Sequence, residues 1–254
     1  MTSSAGWVTG GASGIGAAVV ERLAAAGRPV YVADAAPLPP GSPATGSDIV
    51  DVRDQAALER SCLRAAQTPD GLGIAVLCAG IGGTDGSTCD TVDPRSYQRI
   101  VDINITGVVH SIAAATPHLR PSGGSIVVLA SLAGLTPFTG NPFYAMTKTA
   151  VVGLVRSLGP SLAAEGIRIA AVCPGFVDTP MIATFRDQFT AAGFPLLDPG
   201  TVADTVLHAA STGESGTCWL VQPGRPPLAY NFRGVPGALS PDGTVSEVPN
   251  SGPF

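Results

Sequence analysis

The hexapeptide "FYAMTK", residues 143–148, sets a phenol and an ammonium four residues apart. On a helix that spacing places Tyr144 and Lys148 on one face, about a turn apart. A phenol can accept or give up a proton, and a nearby cation favours its ionised form. The pair by itself is a weak signal, because a half-buried tyrosine above a solvated lysine has the same spacing. Ser131 ends the run "VVLAS" thirteen residues earlier, and Asn104 sits within "VDINITG" at 101–107. Singly these are ordinary as well: a strand-end serine usually makes a turn, and a mid-helix asparagine usually bonds locally.

Such side chains need a scaffold, and the chain alternates short apolar or β-branched runs with helical patterns. Strands are expected at "GWVTG" near the start, "PVYVAD" ending at Asp34, "SDIVDV" at 47–52 and "GIAVLCAG" at 73–80. "GSIVVLAS" at 124–131, "IRIAAVCPG" at 167–175 and "TCWLVQPG" at 217–224 complete the set. Helical patterns between them include 16–27 and 94–119. The alternation predicts an α/β chain in which a seven-stranded parallel sheet carries helices on both faces. One domain is expected over 1–222, with a lid at about 176–200. Residues 223–254 hold seven prolines and five glycines and read as an irregular tail, either disordered or laid across the body. Asn141 and Pro142 make a helix start, while Pro160 is expected to kink or interrupt that helix.

"TGGASGIG" at 9–16 follows the first strand and precedes the first helix, which is the context a nucleotide-binding loop requires. Gly10 turns the chain out of the strand; Gly14 and Gly16 let backbone approach a pyrophosphate and helix pack on sheet. Ser13, Gly14 and Ile15 stand where the helix offers free N–H groups to phosphate. Asp34, about twenty residues on, suits two ribose hydroxyls and repels a 2′-phosphate. Its neighbours Ala12, Ser13, Ala35 and Ala36 carry no cation, so NAD is expected over NADP.

The Thr-Gly-xxx-Gly-x-Gly spacing, with Asn104, Ser131, Tyr144 and Lys148 in that order, resembles the short-chain dehydrogenase/reductase family over roughly residues 5–222. The resemblance implies a Rossmann fold and an Asn-Ser-Tyr-Lys tetrad. Lys148 is then expected to lower the Tyr144 pKa and hold the nicotinamide ribose, and Ser131 to hold the substrate oxygen. Tyr144 takes the hydroxyl proton as hydride leaves for the nicotinamide, and Asn104 disturbs its helix and holds a water. It further implies that Asp51 and Val52 meet the adenine ring. Cys78, Ala79 and Gly80 meet the cofactor ribose, with Leu77 and Cys78 standing where the family often has two asparagines. The backbone of Pro174, Gly175 and Val177 and the Thr179 hydroxyl meet the carboxamide. "SLAGLTP", "CPGFVDT" and "LLDP" followed by "VA" look closest to the 15-hydroxyprostaglandin dehydrogenase-like branch, in which the residue at Asn141 meets substrate.

Met181, Phe176 and Phe185, with Phe138, Ile182 and Phe189, give an apolar lining or equally the buried stripe of a lid helix. A medium-sized lipophilic secondary alcohol or ketone is the expected substrate. A dinucleotide sensor without turnover, and an epimerase or isomerase using the same chemistry transiently, stay open as alternatives. The net charge of −5 with no basic cluster argues against nucleic acid. Five scattered cysteines suit a reduced, cytoplasmic protein, and three separated histidines make no metal cluster. No run of about 18 apolar residues is visible, so no membrane partner is expected. Only 13% of residues are charged, which fits a surface covered by other subunits or equally an excess of alanine and glycine; the resemblance implies a homotetramer or homodimer.

Overall fold

The computed structural model describes residues 4–83, 87–121 and 123–234, and beyond them 236, 238–239, 241, 243 and 245–246. Seven strands lie parallel: β1 Ala5–Thr9, β2 Val30–Asp34, β3 Gly46–Ile49, β4 Leu72–Leu77, β5 Gly124–Leu129, β6 Ile167–Pro174 and β7 Cys218–Val221. The helices are α1 Gly14–Ala25, α2 Gln55–Ala66, α3 Pro94–Val101, α4 Gly107–Leu119, α5 Pro142–Ala164, α6 Arg186–Ala191 and α7 Pro199–Ser211. Central strands such as β1 are buried on both faces, so they read as continuous apolar runs. Successive residues still point to opposite sides: Trp7 joins the core beneath α2, α4 and α5, while Val8 joins the core beneath α1 and α7.

The sheet order is β3-β2-β1-β4-β5-β6-β7, with an eighth strand, β8 Leu228–Ala229, antiparallel on β7. Seven strands were expected, and the extra one comes from the tail that reads as irregular. The free edge of β7 presents unpaired backbone groups, and Tyr230 donates its N–H to the Cys218 carbonyl at 2.8 Å. Tyr230 and Phe232 pack against the core, and the Arg156 guanidinium lies 3.7 Å from the Phe232 ring centroid.

Two helices bear on expectations: the disturbance expected at Asn104 is present, and the interruption expected at Pro160 is not. The run 94–119 is continuous, but residues Asp102–Thr106 form a π-helical turn between α3 and α4, centred on Asn104. By length and a mean hydropathy of 1.2 this run could cross a membrane; however, α4 buries Val108, Ile112, Ala115 and Leu119 against the sheet, as a core helix does. Helix α5 passes through Pro160 to Ala164 without interruption. Val155 and Leu162, buried on either side of the proline, hold the helix on the sheet and outweigh one missing N–H.

Candidate active site

Strand order reverses between β1 and β4, and the crevice at the carboxyl ends of the strands there is where doubly wound sheets bind ligands. A cavity of about 970 Å³ opens at that end. It brings together every residue singled out above for cofactor or substrate, from Gly10 to Phe185. Asn104 is the exception and stands behind the wall.

The glycine loop is as tight as its composition requires. Gly10 has φ +71°, and a Cβ there would lie 2.5 Å from the Ala79 nitrogen. A Cβ on Gly16 would meet the Gly10 carbonyl oxygen at 1.9 Å. Ser13 enters α1 with an extended backbone, without a side-chain capping bond, and no acidic residue occupies the first turn. The helix N-terminus therefore keeps free N–H groups and its positive dipole end toward the cavity. Asp34 steadies this loop: its Oδ2 accepts from Ala12 N at 2.8 Å and its Oδ1 from Ala36 N at 2.9 Å.

At the same end stands Asp51. Its carboxylate is engaged by Arg53, whose Nε lies 3.0 Å from both oxygens and whose Nη2 lies 2.5 Å from Oδ2. Those bonds hold the Asp51 carboxyl below its ordinary range. Arg53 and Arg99 both line the cavity. Motif matching overlooked them because they belong to the turn after β3 and to α3, and only folding brings α3 to β3. Val52 and Cys78 are lining residues, and burial pushes the Cys78 thiol up to about 12.

Tyr144, Lys148 and Ser131 share the cavity floor. Asn141 caps α5, its Oδ1 accepting from Tyr144 N at 3.1 Å while its Nδ2 donates to the Gly82 carbonyl at 2.9 Å. That cap and Pro142 place Tyr144 in the first turn. The Ser131 hydroxyl stands beside the Tyr144 phenol, and its oxygen accepts from Ala133 N at 3.2 Å. Lys148 is 5% exposed; its Nζ donates to the Leu129 carbonyl at 2.9 Å and lies 5.6 Å from the Tyr144 ring centroid.

Burial pushes the Tyr144 phenol up; the Ser131 hydrogen bond pulls it down, and nearby Cys173 adds to the rise. Solvent access through the cavity weakens that burial effect, for the side chain is only half-buried. Burial also pushes Lys148 down, to about 8. The expected lowering of Tyr144 by Lys148 is therefore not the governing effect in this site: the lysine's own charge is poorly solvated and its ammonium is drawn to Leu129.

Asn104 is fully buried. Its Oδ1 accepts from Ile81 N at 2.9 Å, and its Nδ2 donates to the Ile81 carbonyl at 3.0 Å and to Thr147 Oγ1 at 3.2 Å. The carboxamide thus braces the chain after β4 against α5. Gly80 permits this closeness: a Cβ there would lie 3.3 Å from Asn104 Oδ1 and 3.5 Å from Lys148 Nζ.

The segment after β6 closes the site. Leu197 N donates to the Phe176 carbonyl at 2.8 Å and Asp178 N to the Leu197 carbonyl at 2.9 Å, so the intervening lid returns to its start. A short 3₁₀ helix, Pro180–Phe185, leads into α6. Phe176, Phe189 and Phe194 pack together, and Thr179 comes close to Gly14. Gln188 and Phe194 are further lining residues. The lid's apolar spacing pointed to a wall in general, not to these two.

Fold and site together define an oxidoreductase of the doubly wound, dinucleotide-binding class. The chain belongs to the short chain dehydrogenase family, which matches it over residues 6–189. It is 33% identical over 231 residues to cis-4-hydroxycyclohexanecarboxylate dehydrogenase of Sinomonas cyclohexanicum, covering 82% of this chain and 89% of that enzyme. A short-chain type dehydrogenase/reductase of Sinorhizobium fredii is 37% identical over 190 residues, which are 69% of this chain but 33% of that longer protein. Among solved structures, carveol dehydrogenase from Mycobacterium avium in complex with NAD superposes with a TM-score of 0.79 at 27% identity, covering 87% of this chain and 96% of that one.

Proposed function

We propose that the protein interconverts a lipophilic secondary alcohol and its ketone with NAD as cofactor. The observation that carries this reading is the placement of Ser131, Tyr144 and Lys148 together in one cavity that runs from the glycine loop to an aromatic lid. A nicotinamide dinucleotide fits that cavity: Gly10, Gly14 and Gly16 leave the cradle that a Cβ would fill, and α1 offers its free N–H groups to the pyrophosphate. When bound, it supplies the hydride acceptor or donor.

The remaining chemistry falls to this chain. Ser131 holds the substrate oxygen, Tyr144 takes the hydroxyl proton during oxidation and returns it during reduction, and Lys148 uses its remaining donors to hold ribose hydroxyls. Val177 and Thr179 face the carboxamide. Asn104 acts on this group from behind, through Ile81 and Thr147. Asp34 supports NAD over NADP, since a 2′-phosphate would meet its carboxylate while Arg53 is tied to Asp51. Partners beyond the substrate are further copies of the chain. Val109 on α4 and Met146 on α5 are exposed, which favours a homotetramer or homodimer joined through these helices. Five free cysteines support a reducing, cytoplasmic setting.

The test follows NADH absorbance with a panel of secondary alcohols, using NAD and then NADP, in the wild type and Tyr144→Phe. Turnover with NAD that falls about 10²–10⁴-fold in the variant is expected. Equal rates in both proteins, or a preference for NADP, would refute the reading.

A further inference from the structure

We propose that the substrate is an uncharged carbinol whose hydroxyl-bearing carbon lies in a ring or is bonded directly to one. This rests on the dehydrogenase reading above and narrows it. Phe138 stands edge-on beside Tyr144, with ring centroids 6.5 Å apart and planes at 72°. It meets Phe176 at 6.1 Å and 62°. Phe176 in turn meets Phe189 at 4.6 Å and Phe194 at 5.7 Å. These rings come from the loop before α5, the segment after β6, and the lid, yet they form one unbroken wall from the proton-transferring tyrosine to the cavity mouth.

A substrate whose oxygen reaches Tyr144 sets its next atoms against Phe138. A flat aromatic ring there meets aromatic edges and faces in their preferred tilted arrangements, and a saturated six-membered ring lays a rigid apolar face against them. A flexible alkyl chain of the same size gains less contact and loses more rotational freedom on binding. Charge narrows the class further. Beyond the reacting Tyr144 and Lys148, the polar side chains among the described residues lining this end are Ser131, Thr136, Asn141, Thr179 and Gln188, all uncharged, and the Asn141 carboxamide already engages Tyr144 N and Gly82 O. Arg53 and Arg99 stand at the Asp51 end, and Arg186 is ion-paired to Asp178. Apolar Phe138, Phe176 and Phe189 offer a carboxylate or phosphate tail no counter-charge.

The test compares eight-carbon alcohols with NAD: 1-phenylethanol and 4-ethylcyclohexanol against 2-octanol and 7-hydroxyoctanoate. The ring carbinols are expected to exceed 2-octanol about tenfold in kcat/KM, in line with two good aromatic contacts. The hydroxy acid is expected to fall roughly a further hundredfold below 2-octanol. Phe138→Leu should shrink the ring-to-chain ratio to about two. A chain alcohol turned over as well as the rings, a well-accepted hydroxy acid, or an unchanged ratio in Phe138→Leu would overturn the proposal.

Equilibrium dialysis of acetophenone against 2-octanone with the NAD-saturated wild type, in which no hydride is available to reduce either ketone, gives a readout independent of turnover and of that variant's folding. Tighter acetophenone binding without turnover of any alcohol would refute the dehydrogenase reading and leave the ring-shaped pocket standing. Turnover without any ring preference would overturn the ring proposal alone.

Discussion

Replacing Lys148 with methionine should destroy turnover and make the ligand-free protein more stable at neutral pH. The buried ammonium titrates at about 8 instead of 10.5. At about 1.4 kcal/mol per pH unit, that fall is roughly 3 kcal/mol of charge-burial cost. Below pH 8 the lysine is protonated in both folded and unfolded chains, so the whole cost is present. Between pH 8 and 10.5 the folded protein sheds the proton while the unfolded chain keeps it, and the cost disappears. Methionine keeps most of the volume without the charge, but leaves the Leu129 carbonyl short of a donor at about 1–2 kcal/mol. Lys148→Met should therefore gain about 1–2 kcal/mol at pH 7, a Tm rise of roughly 3–6 °C. By pH 10 the order should reverse by about 1 kcal/mol. Urea unfolding at several pH values from 7 to 10, followed through the fully buried Trp7, measures the difference between the two proteins. A difference that does not change with pH, or a variant markedly less stable at pH 7, would refute the argument.

Asn104→Ala should cost about 2–4 kcal/mol in urea unfolding and weaken NADH binding, because both Ile81 backbone groups and Thr147 lose a buried partner. Gly16→Ala drives a Cβ into the Gly10 carbonyl, so titration with NADH should show no fluorescence enhancement. In Asp34→Ser the N–H groups of Ala12 and Ala36 lose a charged acceptor, and the kcat/KM ratio for NAD over NADP should fall about 10–100-fold. Phe232→Ala removes the Arg156 contact and the Tyr230 pairing; thermal melting should drop by a few degrees, for a loss of about 1–2 kcal/mol, with kcat/KM unaltered.

Most of the scaffold was legible locally. Short apolar or β-branched runs alternating with helical patterns predict a parallel sheet because its central strands must be covered on both faces. The glycine loop was legible because steric demands at Gly10 and Gly16 leave no other residue. Asn141 and Pro142 are capping residues whose meaning does not depend on the rest of the chain. The eighth strand was not legible: Leu228–Ala229 carries no strand pattern, and what orders it is the free edge of β7. Pro160 does not interrupt α5 for a similar reason, because helix propensity is overruled by the buried face of that helix.

In the site, residue types and order already singled out Tyr144, Lys148, Ser131 and Asp34. Tertiary structure decided their environment. Lys148 is held down by burial and turned to Leu129; Asn104 is a brace and not a lining group; Asp51 answers to Arg53. The aromatic wall also comes from three separate stretches that meet only in the fold. The division has a plain physical cause. Backbone conformation and chemical type are properties of a residue and its near neighbours, so sequence determines them. Solvation, charge partners and the shape of a cavity are sums over residues distant in the chain, and only the folded packing sets them.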